Sequence, residues 1–112
     1  MAGKFVISKG KDGKLYFVLK AGNGETILQS QGYGSQAACE NGIDSVRKNS
    51  LNGDRFSKET AKDGRFYFTL NATNGQQIGK SQMYKSESGR NNGIVSVAKN
   101  AQDAKIETEA SA

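Results

Sequence analysis

Short apolar runs of strand period, a stretch of helical period, then the same order again make up the hydrophobic pattern of this chain. Lys4-Phe5-Val6-Ile7-Ser8 combines β-branched and aromatic residues and runs into Asp12-Gly13. Asp-Gly between apolar runs marks a hairpin, because glycine takes the positive φ that a tight turn needs. Leu15 to Leu19 alternates, with Leu15, Phe17 and Leu19 on the face expected to be core. Tyr16, Val18 and Lys20 take the other face. Asn23-Gly24 then predicts a type I′ turn into a third strand, Glu25 to Ser30, with Ile27 inward. After that the period changes. Ser35 is placed to cap a helix running to about Lys48, with Cys39, Ile43 and Val46 at i, i+4 and i+7.

Residues 4–50 recur as residues 55–101 with a constant shift of 51. Asp63-Gly64, Tyr67-Phe68, Asn74-Gly75 and Asn92-Gly93-Ile94 repeat the landmarks of the first copy. Phe66, Phe68 and Leu70 form the second core face, Ile78 the second inward isoleucine, and Ser86 the cap of a helix ending near Lys99. One supersecondary unit used twice predicts an α+β fold with an antiparallel sheet of about six strands and two helices on one face. A half of about 50 residues buries too little surface for comfortable stability, so the copies are expected to share one core in a single domain, 1–112.

Asn41-Gly42 and Asn92-Gly93 fall mid-helix, where each glycine costs about 0.8–1 kcal/mol relative to alanine. A cost incurred twice implies a geometric reason, namely close approach of another element to a backbone without Cβ. Tyr33 and Tyr84, two residues before the caps, are placed to pack back onto the first helical turn. Residues 49–54 form a short polar connection, and residues 102–112 lack an apolar pattern and are expected to be a disordered tail.

Composition narrows the chemistry. The net charge is +5, and there is no histidine and one cysteine. That inventory excludes a Cys/His zinc site, a histidine general base and a Ser-His-Asp triad. No cofactor is implied. No segment approaches the roughly 20 apolar residues of a membrane span, and without a disulfide framework the cytoplasm is the expected compartment. The lysines are scattered, so weak nucleic-acid binding is the most that charge alone supports.

The pattern Tyr16-Phe17-x-Leu19-x-Ala21, Asn23-Gly24, Ser30-Gln31-x-Tyr33-x-Ser35 and Asn41-Gly42-Ile43-x-Ser45-Val46-x-Lys48-Asn49, present twice, resembles the YegP-like family of small bacterial proteins. The resemblance implies tandem β3α units in one antiparallel sheet, with the C-terminal helix of each unit exchanged onto the strands of the other. The mid-helix glycines would then lie where the helices pass. The resemblance transfers no catalytic residue. The internal copy supplies the interface that another subunit would otherwise provide, so a monomer with an internal pseudo-dimer is expected. Arg90 for Cys39 and Gly79 for Leu28 are the departures, pointing to a less apolar helix stripe and outer strand face in the second copy.

Candidate ligand-binding residues lie on the sheet face away from the helices: Tyr16, Lys20, Tyr67, Lys14 and Arg65. Aromatic rings among basic groups bind single-stranded nucleic acid by stacking and phosphate contact in several folds. Cross-strand packing alone also accounts for tyrosine there. Asn41, Ser45 and Lys48 share a helix face and recur as Asn92, Ser96 and Lys99, as ligand contacts, as partners of backbone groups or as residues facing solvent, with the structural account favoured. Asp12 and Asp63 are explained by turn chemistry, and Cys39 as a small core residue. The expected function is that of a non-enzymatic, cytosolic binding or stress-related accessory module, with weak nucleic-acid binding through the open sheet face as the alternative.

Overall fold

A computed structural model describes residues 3–109. The first repeat forms β1 (Lys4–Lys9), β2 (Leu15–Lys20), β3 (Thr26–Ser30) and α1 (Gln36–Asn49). After a single 3-10 turn, Gly53–Arg55, the second forms β4 (Phe56–Thr60), β5 (Phe66–Asn71), β6 (Gln77–Lys80) and α2 (Glu87–Asp103), followed by β7 (Lys105–Thr108). All strands join one sheet in the order β4-β5-β6-β3-β2-β1-β7. The middle of that order shows how the halves meet. Gln29 pairs with Lys80 across the antiparallel β3–β6 junction. These two residues are equivalents in the repeat, so the pseudo-twofold axis passes between them.

Both helices lie on one face. α1 packs on β2 of its own repeat and on β5 and β6 of the other, while α2 packs on β5 and on all three strands of the first repeat. The exchange is therefore shared: each helix spans the junction and keeps hold of its own second strand. Phe5, Ile7, Phe17, Leu19, Leu28, Ile43, Val46, Phe68, Leu70 and Val97 are fully enclosed in one interior drawn from both halves.

Three local details differ from the sequence expectation. The Asn23-Gly24 turn is not type I′, because Asn23, like every other non-glycine among the described residues, lacks a positive φ. Instead Gly24 N–H donates to the Ala21 carbonyl at 2.9 Å, Gly24 sits at φ +87°, and the Asn23 side chain accepts from Glu25 N–H. This is a three-residue loop with a left-handed glycine last, and only glycine takes that conformation without strain. Second, the β2–β3 register slips: Leu19 faces Leu28, but Lys20 faces Thr26, leaving Ile27 as a bulge. A bulge lets two successive residues turn inward, and both Ile27 and Leu28 are buried. Leu28 is thus a core residue, not part of an outer face. Its equivalent Gly79 also lies on the core side, where an added Cβ would stand 2.9 Å from Leu28 Cγ and from the Gln29 carbonyl.

The third difference is the C-terminus. α2 continues to Asp103, and β7 adds a seventh strand parallel to β1, so residues 102–109 are ordered structure rather than a tail. Residues 110–112 lie outside the described residues. Arg47 explains the capture of this segment. Its guanidinium donates to the carbonyls of Ala101 (3.1 Å) and Ala104 (2.6 Å) and lies 5.4 Å over the Phe5 ring. Those carbonyls end α2 and would otherwise lack partners. Gln102 reciprocates, donating to the Arg47 carbonyl at 2.9 Å. Arg47→Met keeps the stem and removes the donors. It is expected to raise amide exchange in β7 about tenfold, matching the loss of a charged hydrogen bond worth about 1.5 kcal/mol. The reporters are Glu107 and Glu109, whose amides face β1 in this register, Glu109 N–H donating to the Ile7 carbonyl at 2.7 Å. Unchanged exchange there would show that Arg47 does not hold the strand.

Candidate functional site

The repeated signature around Tyr33 is mostly consumed by the fold. The Ser30 hydroxyl accepts Phe17 N–H at 2.9 Å, as Ser81 does for Phe68. Gln31 crosses the junction to the Gln77 carbonyl at 2.7 Å, and Gln82 crosses the other way to the Glu25 carboxylate. Ser35 and Ser86 cap their helices. Tyr33 stacks on Phe17 at 6.1 Å between centroids, and its ring slides beneath α1 at Gly42. A Cβ on Gly42 would clash with the Tyr33 hydroxyl, 2.7 Å from Tyr33 Cζ and 3.0 Å from Phe17 Cε2; Gly93 meets Tyr84 and Phe68 in the same way. The mid-helix glycines therefore admit a tyrosine from the strand side, and that is where the close approach occurs rather than between the helices. The tyrosines sit deeper than the first turn, and burial pushes their pKa values up.

Of the helix residues that repeat, Ser45 is bonded by Asn49 and Ser96 by Asn100, both at 3.1 Å. Asn41 and Asn92 are different. Both side chains are exposed and make no hydrogen bond among the described residues. Each stands in a cleft between a helix and the opposite repeat's hairpin. The larger, about 350 Å³, is lined by Gln31, Tyr33, Asn41, Ser45, Gln76 and Ile78 among others, with no charged lining residue. The smaller, about 190 Å³, is lined by Asn23, Glu25, Ile27, Tyr84, Asn92 and Ser96. Tyr33/Tyr84, Asn41/Asn92, Ser45/Ser96 and Ile78/Ile27 correspond, so the two clefts are one design used twice. Sequence reasoning singled out Asn41 and Asn92 but had no means of placing the other repeat's hairpin opposite them.

On the open sheet face, register places Thr69, Lys80, Gln29, Val18 and Val6 in one row across the strands. Tyr16 and Tyr67 lie on opposite sides of that row, about 14 Å apart across three strand spacings and further along them. The structure does not bring them together. Tyr16 Oη donates to Asp12 Oδ2 at 2.6 Å, whereas Lys80 Nζ sits 4.6 Å over the Tyr67 ring. Arg65 is paired with Asp63 at 2.7 Å in its turn. Lys14 occupies the equivalent turn with its stem near Tyr16 and Gly32, and Lys20 is half-buried on β2.

The Tyr16 hydroxyl is the main cause holding the Asp12 carboxyl below its ordinary value, and it raises Tyr16 in turn. A carboxyl depressed in the folded state stabilises it above the ordinary value of 3.8, and that contribution is lost as pH falls through the folded value. Tyr16→Phe is therefore expected to raise the Asp12 midpoint, read by carboxyl-carbon NMR. An unmoved midpoint would rule out the hydrogen bond as its cause.

Cys39 is enclosed in the α1 stripe, and burial pushes its thiol up, away from the reactive thiolate. Its equivalent, Arg90, is also buried, lying 5.5 Å over the Phe66 ring and 3.5 Å from the Glu59 carbonyl. Among the described residues, no helix is long and apolar enough to cross a membrane.

A pseudo-twofold pair of β3α units sharing one sheet, with helices laid across the junction, defines the class of protein. The chain belongs to the family of the DUF1508 domain, a domain of unknown function, which matches residues 11–56 and again residues 61–107. It is 55% identical over 100 residues to the UPF0339 protein YegP of Shigella flexneri, covering 89% of this chain and 91% of that one. The solution NMR structure of YegP from E. coli, a protein of unknown function, superposes with a TM-score of 0.92 at 50% identity, covering 97% of this chain and 94% of that chain. The UPF0339 protein SO3888 from Shewanella oneidensis gives 0.90 at 46% identity, covering 96% and 92%.

Proposed function

We propose that this chain is a non-enzymatic binding module that takes a small, uncharged polar ligand in its duplicated cleft. The observation behind this reading is the pair Asn41 and Asn92, repeated carboxamides that the fold leaves unbonded at the mouths of matching clefts. A carboxamide offers two donors and an acceptor, which suits neutral hydroxyl or amide groups. The lack of histidine and the buried state of the one thiol support a role without catalysis. Titrating labelled protein with neutral probes, such as N-acetylglucosamine, uridine and acetylated amino-acid amides, is expected to shift the amides of Asn41 and Gly42 before those of Asn92 and Gly93. Asn41→Ala should abolish the first set. Silence at both clefts with all three probe types removes this reading.

Lys4, Lys20, Lys80 and Lys105 on the open sheet face favour a second reading, weak binding of single-stranded nucleic acid there. It requires a mixed-sequence oligonucleotide at low salt to shift Tyr16 and Tyr67 and to lose that effect as salt rises. No response at millimolar oligonucleotide eliminates it.

A further inference from the structure

The pseudo-twofold symmetry fails at the sheet edges. β1 is covered by β7, whereas its equivalent β4 is the opposite edge and pairs with β5 alone among the described residues. The consequence is visible in the equivalent phenylalanines, since Phe5 is fully enclosed and Phe56 only half-buried. On the first edge, Ile106 lies beside Phe5, Thr108 beside Ile7, and Glu107 pairs with Lys4 at 3.2 Å. The outward-facing Ile7 carbonyl accepts Glu109 N–H at 2.7 Å. Shifting by the repeat length puts Arg55 where Lys4 stands, Phe56 for Phe5, Ser57 for Val6 and Lys58 for Ile7. The second edge therefore offers the same outward backbone groups, one apolar seat and two cations, with Arg90 beneath and Glu59 and Asp54 as its nearby carboxylates.

We propose that the β4 edge docks an extended acidic segment of a partner protein, added parallel to β4 in the register that β7 adopts on β1. Strand addition supplies main-chain bonds, and side chains of alternate residues supply the choice of partner. In this register an apolar residue faces Phe56, the next residue reaches Arg55 as Glu107 reaches Lys4, and the one after faces Lys58. Carboxylates are called for at the last two positions. A lysine on an uncovered edge also discourages pairing between copies of the same chain, so Lys58 disfavours a second copy as occupant while attracting an acidic one. This surface is separate from the clefts and the open sheet face, so its test bears on neither of those readings.

The probe is the capped hexapeptide AEIEEE, patterned on residues 104–109 with the charge adjusted, titrated into labelled full-length protein alongside its neutral counterpart AQIQQQ. Expected are shifts at the amides of Ser57, Lys58 and Glu59 with the acidic peptide and much weaker ones with the neutral one. Lys58→Glu, at an exposed position, should weaken binding about fivefold by replacing attraction with repulsion. Four outcomes overturn the proposal: no shift at millimolar peptide, shifts confined to β1 through displacement of β7, equal binding of the neutral peptide, or β4 shifts that follow protein concentration without peptide. The last would assign the edge to a second copy of this chain.

Discussion

Leu28→Ala is expected to cost about 2–5 kcal/mol of unfolding free energy, the range for truncating an enclosed leucine. Leu28 has no exposed surface and packs beside the pseudo-twofold axis, where its equivalent is Gly79. The two positions share one space, filled from one side only. Gly79→Ala is accordingly expected to destabilise by about 1–3 kcal/mol through overpacking, against both Leu28 and the Gln29 carbonyl. In a Leu28→Ala background the second change should cost less, with a coupling of about 1 kcal/mol or more between touching sites. Urea unfolding of the four proteins checks this, and strict additivity would show that the positions do not share a space. The asymmetry has a further meaning. Two first repeats would bring two leucines together at the axis and two second repeats would leave a gap, so the unlike pairing is the one that packs.

Gly42→Ala sets two rules against each other. Helix propensity alone gives alanine an advantage of about 1 kcal/mol. The Tyr33 ring and hydroxyl occupy the space of the new Cβ, and Phe17 closes the other side. Overpacking in a full interior costs about 1–3 kcal/mol, so the expected net result is destabilisation of about 1 kcal/mol or more. In a Tyr33→Ala background the clash is gone, and Gly42→Ala should turn neutral or stabilising. A gain in stability with Tyr33 intact would mean that the glycine is not there for the ring. Gly93 and Tyr84 offer the same experiment in the second repeat, where the geometry matches closely.

These two sites also show what could be read from the chain alone and where reading stopped. Alternation in Leu15 to Leu19 and Phe66 to Leu70 is a property of neighbours, and it placed β2 and β5 with their core faces. Ser35 and Ser86, as caps, placed both helix starts. The fate of Leu28 depended on a bulge opposite Lys20, a cross-strand event with no local signature. Gly42 was recognisable as a close approach, but its partner lies nine residues back on a segment whose path only the β2 pairing of Tyr33 fixes. β7 was missed because Lys105 to Thr108 has one apolar residue and is held by Arg47, more than fifty residues away. The candidate site divides in the same way. The tyrosines and basic residues of the sheet face were nameable, yet their separation and their existing partners follow from strand order. Asn41 and Asn92 gained meaning only when the opposite hairpin closed a cleft beside each.

The fold rests on the halves filling one another's interior, since α2 lies across β1, β2 and β3 while α1 reaches β5 and β6. The direct measurement is urea unfolding of residues 1–52 and 53–112, each alone at low concentration and then mixed. Neither fragment should unfold cooperatively by itself, and mixing should restore a single transition approaching that of the intact chain. A fragment that melts cooperatively as a dilute monomer, with resistance close to that of the full protein, would contradict the shared interior.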